Sequence, residues 1–183
     1  MSNYRRPHLS GGTYFITQVT YQRVPWLCSN IGRKSLREAI EKVREKHPFT
    51  IEAFALLPDH FHFLLTLPYD DSDFSVRLRL IKTYVTKYYG QQLGIKIGIS
   101  QSRQKRKESN LWQRRFWEHL IRNEQDFAQH CDYIHYNPVH HKLCENSTDW
   151  EYSTIHRFIA LGIYPSDWGS NQRIEKPQGI WGE

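Results

Sequence analysis

The alternation of apolar and polar positions along the chain predicts four β-strands. Three of them precede residue 70, and the fourth lies much later in the chain. All four are rich in β-branched and aromatic residues, which is typical of strands. They cover residues 13–21 (TYFITQVTY), 49–58 (FTIEAFALLP), 60–68 (HFHFLLTLP) and 114–123 (RRFWEHLIRN). Between the second and the third strand, Pro58 and Asp59 favour a tight turn.

A second spacing, with apolar residues three or four positions apart, predicts helices. In residues 35–48 the apolar side chains Leu36, Ile40 and Val43 share one face, and Pro48 ends the segment. The first helix therefore lies between the first and second strands.

The second helix is predicted within residues 71–94, with Ser72 or Asp73 as its N-cap. Its apolar face is formed by Phe74, Leu78, Ile81, Val85 and Tyr88. The other face is basic and carries Arg77, Arg79, Lys82 and Lys87. This two-sided pattern predicts that one face of the helix packs on a core while the other meets solvent.

The third helix is predicted over residues 123–138, where Asn123 caps its start and Pro138 ends it. Its inward face is formed by Phe127, Cys131 and either Ile134 or His130. A shorter helix is expected near 153–161. The basic stretch 92–110 has no periodicity and predicts a loop whose SRQKRK run is solvated.

The order of these elements is β-α-β-β-α-β, followed by an additional C-terminal helix. This order predicts an α+β protein of the ferredoxin-like class, with an antiparallel sheet and helices packed on one of its faces. We expect one domain over residues 1–183, with a basic N-terminal arm at about 1–12 and a tail at about 165–183. Such a fold hosts many activities, so the function has to be argued from the site.

Composition narrows the function only slightly. The 25 Lys and Arg residues outnumber the 19 Asp and Glu residues, which gives a formal net charge of +6. This balance permits a phosphate-bearing partner without requiring one. The cysteines Cys28, Cys131 and Cys144 are far apart, which favours a reducing, cytoplasmic compartment. No apolar stretch has the length of a signal peptide core or a membrane span, so no membrane partner is expected.

The third predicted strand contains two histidines, His60 and His62, in the sequence PDHFHFLLTLP. Side chains alternate across a strand, so the two imidazoles share one face while Phe61 and Phe63 share the other. The pair either hydrogen-bonds within the protein or holds a metal ion, and the motif alone leaves both alternatives open. A structural zinc site is disfavoured because no cysteine has a matching spacing.

The third predicted helix contains two polar residues four positions apart, Tyr133 and Asn137, which therefore share a helix face. We expect Tyr133 at the border between the core and the surface. On composition alone it is either an amphipathic packing residue or a nucleophile. Asn137 precedes Pro138, so its backbone is expected to leave the helical conformation.

Several segments, taken together, resemble one known family. They are YRRPH with GGTYFIT, LLPDHFHFLLTLP, WQRRFWEHLIRNEQDF and DYIHYNPV, and they span roughly residues 3–168. In this order and spacing they resemble the REP-associated tyrosine transposases, where REP denotes a repetitive extragenic palindrome. These enzymes belong to the single-tyrosine HUH transposases, named for the pattern His–hydrophobic–His.

The resemblance implies roles for four residues. His60 and His62 match the two metal-binding histidines, and Asn137 matches the position of a third ligand. Tyr133 matches the catalytic tyrosine, with Tyr136 as a nearby competitor for that role. The implied cofactor is Mg²⁺ or Mn²⁺, and imidazole ligands favour Mn²⁺ at least as much as Mg²⁺.

The resemblance also implies a reaction and a substrate. The implied enzyme is a sequence- and hairpin-specific single-stranded DNA endonuclease and strand transferase that forms a 5′-phosphotyrosine intermediate. Its DNA would be a REP-like hairpin, and its location would be the bacterial cytoplasm, in association with the nucleoid. The implied state is a monomer, with a homodimer as the alternative, because some relatives exchange the tyrosine helix between two subunits.

Binding single-stranded DNA needs cations for the phosphates and aromatic rings for the bases. Two groups of residues meet this need: Arg5 and Arg6 in the arm, and Arg114, Arg115 and Trp117 at the fourth strand. We expect the groups, rather than any single arginine, to contact the DNA, because a single exposed arginine is most often one more solvated charge.

Two other functions remain as alternatives. A non-catalytic nucleic-acid-binding module on the same β-α-β-β-α-β plan would need exposed aromatic residues on the sheet, in the context of RNA-recognition domains. HFHFL lacks that glycine-bearing context. A small metal-dependent hydrolase would leave the spacing of Tyr133 and Asn137 unexplained.

Overall fold

Four strands form one antiparallel sheet in the computed structural model, which describes residues 8–95, 98–106, 108–170 and 174–177. The strands are β1 (Thr13–Val19), β2 (Thr50–Leu56), β3 (His60–Thr66) and β4 (Trp117–Leu120). Their order in the sheet is β2-β3-β1-β4, and all neighbours are antiparallel. This arrangement confirms the predicted ferredoxin-like α+β fold.

Five helices accompany the sheet in the described residues. They are α1 (Asn30–Lys46), α2 (Phe74–Tyr89), α3 (Gln101–Lys105), α4 (Glu124–His140) and α5 (Ile155–Ala160). Single 3₁₀ turns lie at Tyr21–Arg23 and Ser147–Asp149. None of these helices is long and apolar enough to cross a membrane.

The two helices of the ferredoxin-like unit, α1 and α2, pack on one face of the sheet as predicted, and the additional helix α4 covers the other face. Phe61 and Phe63 on β3 belong to the core beneath α1 and α2. Phe15 on β1 and Leu64 on β3 point the other way, into a second core with Ile134 of α4. The two central strands, β1 and β3, are almost entirely buried. A strand that is buried on both sides needs a layer of packed structure on each face of the sheet.

Two helix boundaries differ from the predictions. Helix α1 begins at Asn30, well before the predicted start, because the side chain of Ser29 accepts a hydrogen bond from the Gly32 amide at 3.0 Å and caps the helix. Helix α4 continues through Pro138 to His140. Proline removes one backbone hydrogen bond, but this loss falls in the last turn, and Asn137 remains inside the helix contrary to the prediction.

Helix α2 confirms the predicted cap and most of the predicted apolar face. The Asp73 carboxylate accepts from the Val76 amide at 3.1 Å. Phe74, Leu78, Ile81 and Val85 are buried, whereas Tyr88 is exposed and its neighbour Tyr89 is buried instead. The basic face also differs from the prediction, because Arg77 is only 1% exposed.

Arg77 is buried because its guanidinium joins α2 to two preceding segments. It donates to the Pro48 carbonyl at 2.7 and 3.1 Å, to the Asp73 carbonyl at 2.9 Å and to the Asp71 carboxylate at 2.8 Å. The planar guanidinium carries five N–H donors, so it can bind several acceptors at once. This residue therefore stabilises the fold and does not belong to a solvated basic surface.

The predicted loop over 92–110 contains helix α3, so that prediction is also wrong. Within its basic run, Arg103 is buried and donates to the carbonyls of Ser109 and Trp112. Its guanidinium lies 4.1 Å from the centroid of the Tyr21 ring, a cation–π contact. This arginine therefore fixes the path of the chain that leads to β4.

We predict that Arg77→Met lowers the free energy of unfolding by about 2–4 kcal/mol, because it leaves buried carbonyls and the Asp71 carboxylate without their donor. Urea denaturation followed by circular dichroism measures this change. Arg79→Met removes an exposed arginine from the same helix and should change stability by about 0.5 kcal/mol or less.

The pH dependence provides a check on the ion pair itself. The hydrogen bond from Arg77 holds the pKa of Asp71 below its ordinary value. The pair therefore stabilises the protein fully above about pH 4, and this contribution is lost as the pH falls through the lower pKa of the folded state. The difference in stability between wild type and Arg77→Met should narrow below pH 4, and a constant difference would contradict the ion pair.

Candidate active site

Four of the predicted site residues meet between β3 and α4. His60 and His62 lie on the face of β3 that α4 covers, opposite the face with Phe61. Tyr133 and Asn137 are one turn apart on α4 and are both buried. The alternation of the strand and the periodicity of the helix therefore direct all four side chains into the same narrow space.

His60 is oriented by the residue that precedes it. Its Nδ1 atom lies 2.6 Å from the Asp59 carboxylate, so the ring donates a proton there and turns Nε2 away. Burial of Asp59 would raise its pKa, but hydrogen bonds from His60 and Arg23 outweigh this effect and lower the pKa to about 2. The charged carboxylate thus fixes the ring orientation of a buried imidazole.

His62 is oriented by the neighbouring strand. Thr17 is its partner in the register of β1 and β3, and the Thr17 hydroxyl lies 2.9 Å from His62 Nδ1. The ring stacks on Phe15 at 5.4 Å between centroids and lies edge-on to His60 at 5.0 Å. Both histidines therefore have Nδ1 engaged by a protein oxygen.

The Asn137 amide faces His60 across α4 and β3. Its Oδ1 atom lies 3.4 Å from His60 Nε2, and no hydrogen-bond partner of its Nδ2 atom lies within the described residues. With a proton on Nδ1 of a neutral ring, Nε2 and Oδ1 are two acceptors facing each other. Two lone-pair atoms at this separation suit a shared cation.

Tyr133 lies closer to the core than predicted, because it is only 4% exposed. Its ring centroid is 5.5 Å from that of His62 and 6.0 Å from that of Phe15. The ring is buried because α4 packs flat on this face of the sheet. Tyr136, the predicted competitor, lies instead beside Gly169.

Sequence reasoning missed three residues of the site. Asp59 and Thr17 hold the histidines, and His141 has its ring centroid 4.9 Å from that of His60. The i+4 spacing that links Tyr133 to Asn137 continues to His141 and could have indicated it. The role of Thr17 depends on strand register, which the sequence does not specify by itself.

A second group of metal-binding residue types lies nearby: the ligand atoms of His119, Asp126 and His130 are within 4.8 Å of one another. The Asp126 carboxylate accepts from His119 Nε2 at 2.8 Å and from Arg122 Nε at 3.0 Å. Burial opposes its ionisation, but these hydrogen bonds hold its pKa well below the usual range. The His119 and His130 rings stack with planes 11° apart, so the lone pairs of their nitrogen atoms lie in two nearly parallel planes. We therefore describe this group as a hydrogen-bonded cluster.

The structure describes three of the five residues predicted to contact DNA, namely Arg114, Arg115 and Trp117. Arg114 and Arg115 are exposed, and Arg114 is paired with Glu108 at 2.8 Å. Trp117 contacts Phe15 at 5.5 Å between centroids, on the same face of the sheet as the histidines. Arg5 and Arg6 lie outside the described residues.

The donor set limits the chemistry of the site. Two imidazole nitrogens and one amide oxygen suit a divalent transition ion or Mg²⁺ better than a soft ion that prefers thiolates. A phenol lies against one of these imidazoles. This combination is typical of a site that binds a charged oxygen group close to a nucleophile.

Comparisons with known proteins identify the family of this chain. The family described as Transposase IS200 like matches residues 8–137. The REP-associated tyrosine transposase of Escherichia coli K12 is 42% identical over 171 residues, which is 93% of each chain. Its counterpart in Haemophilus influenzae is 44% identical over 176 residues, covering 96% of this chain and 97% of that one.

A solved structure extends the likeness to three dimensions. It is described as a REP-associated tyrosine transposase bound to a REP hairpin, and it superposes with a TM-score of 0.80 at 40% identity. The match covers 97% of this chain and 96% of that one. The resemblance found in the sequence is thereby confirmed. The chain belongs to the IS200-like transposases and, within them, to the REP-associated tyrosine transposases.

Proposed function

We propose that this transposase is a hairpin-directed single-stranded DNA endonuclease and strand transferase that acts through a 5′-phosphotyrosine on Tyr133. The observation that carries the proposal is the meeting of a phenol, two imidazoles and an amide between β3 and α4. Membership of the transposase family supports the proposed class of reaction, and the geometry supports the choice of residues.

The metal-binding residues of the proposal are His60, His62 and Asn137. They fit a divalent ion because Asp59 and Thr17 engage both Nδ1 atoms, which reserves Nε2 for coordination, and because the Asn137 oxygen faces His60 Nε2. When bound, Mg²⁺ or Mn²⁺ would supply Lewis acidity to an oxygen of the scissile phosphate. Imidazole ligands favour Mn²⁺ in vitro.

The covalent step belongs to Tyr133. Its phenolic oxygen bonds to phosphorus, the bond from phosphorus to the 3′-oxygen breaks, and the phenol proton is released while the leaving oxygen takes one up. A free phenol has a pKa of about 10, so it needs a cationic environment to react near neutral pH. The phosphotyrosine keeps the bond reactive, so a second 3′-hydroxyl can reverse the step and join two DNA ends.

The substrate of the proposal is a REP-like DNA hairpin with an adjoining single strand. The similar solved structure, which is described as bound to a REP hairpin, supports this choice. Trp117 offers a ring for base stacking on the catalytic face, and Arg114 and Arg115 offer exposed cations next to it. An enzyme that acts on such DNA would work in the bacterial cytoplasm, in association with the nucleoid.

We propose that the site is formed within one chain. Helix α4 packs on the sheet of its own chain and brings Tyr133 to His62 without a second subunit. We therefore propose a monomer, within one domain that has a basic arm and a tail at its ends.

We predict that Tyr133→Phe abolishes the covalent protein–DNA adduct, because it removes the attacking oxygen. The measurement uses a labelled single-stranded hairpin oligonucleotide with Mn²⁺, followed by a denaturing gel. Tyr136→Phe is the matched control and should form the adduct as wild type does. An adduct in Tyr133→Phe would assign the nucleophile elsewhere, and hairpin binding without any cleavage by wild type would favour a non-catalytic binding module.

We predict that His60→Ala and His62→Ala abolish Mn²⁺ binding and cleavage while the hairpin affinity changes by roughly twofold or less. Asp59→Asn should weaken Mn²⁺ binding about 10- to 100-fold, because it removes the acceptor that orients His60. Electron paramagnetic resonance of free Mn²⁺ during titration measures the affinity.

Asp71→Asn is the matched control for Asp59→Asn, since it removes a hydrogen-bonded carboxylate far from the histidines and should leave Mn²⁺ affinity unchanged. Equal loss of hairpin binding and cleavage in the histidine variants would indicate that the two imidazoles serve folding and not a metal.

A further inference from the structure

A partly buried chain of hydrogen bonds connects α4 to the segment that follows it. We call its four residues, Asp132, His135, Thr154 and Tyr164, the α4 anchor. The Tyr164 hydroxyl donates to the Asp132 carboxylate at 2.6 Å. His135 lies between the others, with Nδ1 3.3 Å from the Tyr164 oxygen and Nε2 2.9 Å from the Thr154 hydroxyl. No site residue is a member of this chain.

The direction of each hydrogen bond in the α4 anchor follows from its partners. Tyr164 gives its proton to the carboxylate, so its oxygen accepts from His135 Nδ1. The other ring nitrogen lies 2.9 Å from the Thr154 hydroxyl, whose single proton is shared between this nitrogen and the Phe54 carbonyl at 3.2 Å. Each member of the anchor therefore has at least one hydrogen-bond partner, and such a connected network restricts the positions that its members can take.

The far end of the α4 anchor is fixed to the sheet. The Thr154 hydroxyl accepts from the backbone amide of Phe54 at 2.8 Å, and the Thr154 amide donates to the Phe54 carbonyl at 2.9 Å. Phe54 belongs to β2, which pairs directly with the histidine strand β3. The anchor thus connects α4 to the sheet by a path that does not pass through the site.

Aromatic packing holds the middle of the α4 anchor in place. Trp168 stacks on the Tyr164 ring at 4.3 Å between centroids, with the planes 7° apart. Phe158 lies edge-on to the His135 ring at 4.5 Å. His135 is fully buried, so its ring has a fixed orientation between these partners.

We infer that the α4 anchor positions the reactive groups of the site, an inference that rests on the proposed function. Two of its members, Asp132 and His135, lie on either side of Tyr133 in the sequence. Asn137 lies two residues after His135. The nucleophile and the amide ligand sit on α4, whereas both histidines sit on β3. Their separation depends on the docking of the helix, and displacements of about 1 Å can reduce a rate by 10²-fold.

Tyr164→Phe is the test, because it removes one hydroxyl and leaves the ring to stack. Its matched control is Tyr89→Phe, which removes a tyrosine–carboxylate hydrogen bond to Glu38 between α2 and α1, on the other face of the sheet. For each protein we would measure kcat and KM for cleavage of the hairpin oligonucleotide, the Mn²⁺ affinity and the melting temperature.

We expect Tyr164→Phe to lower kcat about 10-fold or more with KM unchanged within roughly twofold, and to weaken Mn²⁺ binding about 3-fold or more. Tyr89→Phe should lower the melting temperature while kcat and Mn²⁺ affinity stay at wild-type values. In a second pair, Thr154→Val should behave like Tyr164→Phe, and Thr154→Ser should restore wild-type behaviour because it keeps the hydroxyl.

If kcat falls in both tyrosine variants in proportion to the decrease in melting temperature, the α4 anchor has only a structural role. This result would overturn the inference. If the wild-type protein forms no covalent adduct, the proposed function fails. The inference is then tested separately by comparing the Mn²⁺ affinities of the wild-type protein and of Tyr164→Phe. Equal Mn²⁺ affinities of wild type and Tyr164→Phe would overturn it.

Discussion

The pairing of β1 with β3 at the centre of the sheet determines where polar chemistry can take place in this protein. Both strands are covered on both faces, so any polar side chain there loses its water and needs a partner from the protein. The register of β1 and β3 places Thr17 opposite His62, so the Thr17 hydroxyl is the partner of His62. Asp59 directly precedes His60 in the chain, and its carboxylate is the partner of His60. The two imidazoles are therefore held by different oxygens, one from a neutral hydroxyl and one from a charged carboxylate.

The sequence predicted those parts of the molecule that depend on local periodicity. The shared face of His60 and His62 follows from strand alternation, and the shared face of Tyr133 and Asn137 follows from helix geometry. The element order also predicted the ferredoxin-like sheet, which the solved relative confirms.

The errors concern properties that depend on tertiary contacts. The burial of Arg77 depends on a carbonyl of a distant segment, that of Pro48. Helix α4 passes through Pro138 because docking on the sheet outweighs one lost hydrogen bond. The partners of the histidines likewise required a register that no local pattern supplies.

Burial of the Tyr133 ring bears on how long a covalent intermediate would last. Only 4% of this residue is exposed, and it is enclosed by Phe15 and His62 on the sheet side. An ester formed at this position is shielded from bulk solvent, so water competes poorly with a DNA hydroxyl that is delivered by base pairing or stacking. The lifetime of the covalent protein–DNA intermediate would then be set by the arrival of the second DNA end. In a nuclease, by contrast, water would determine this lifetime.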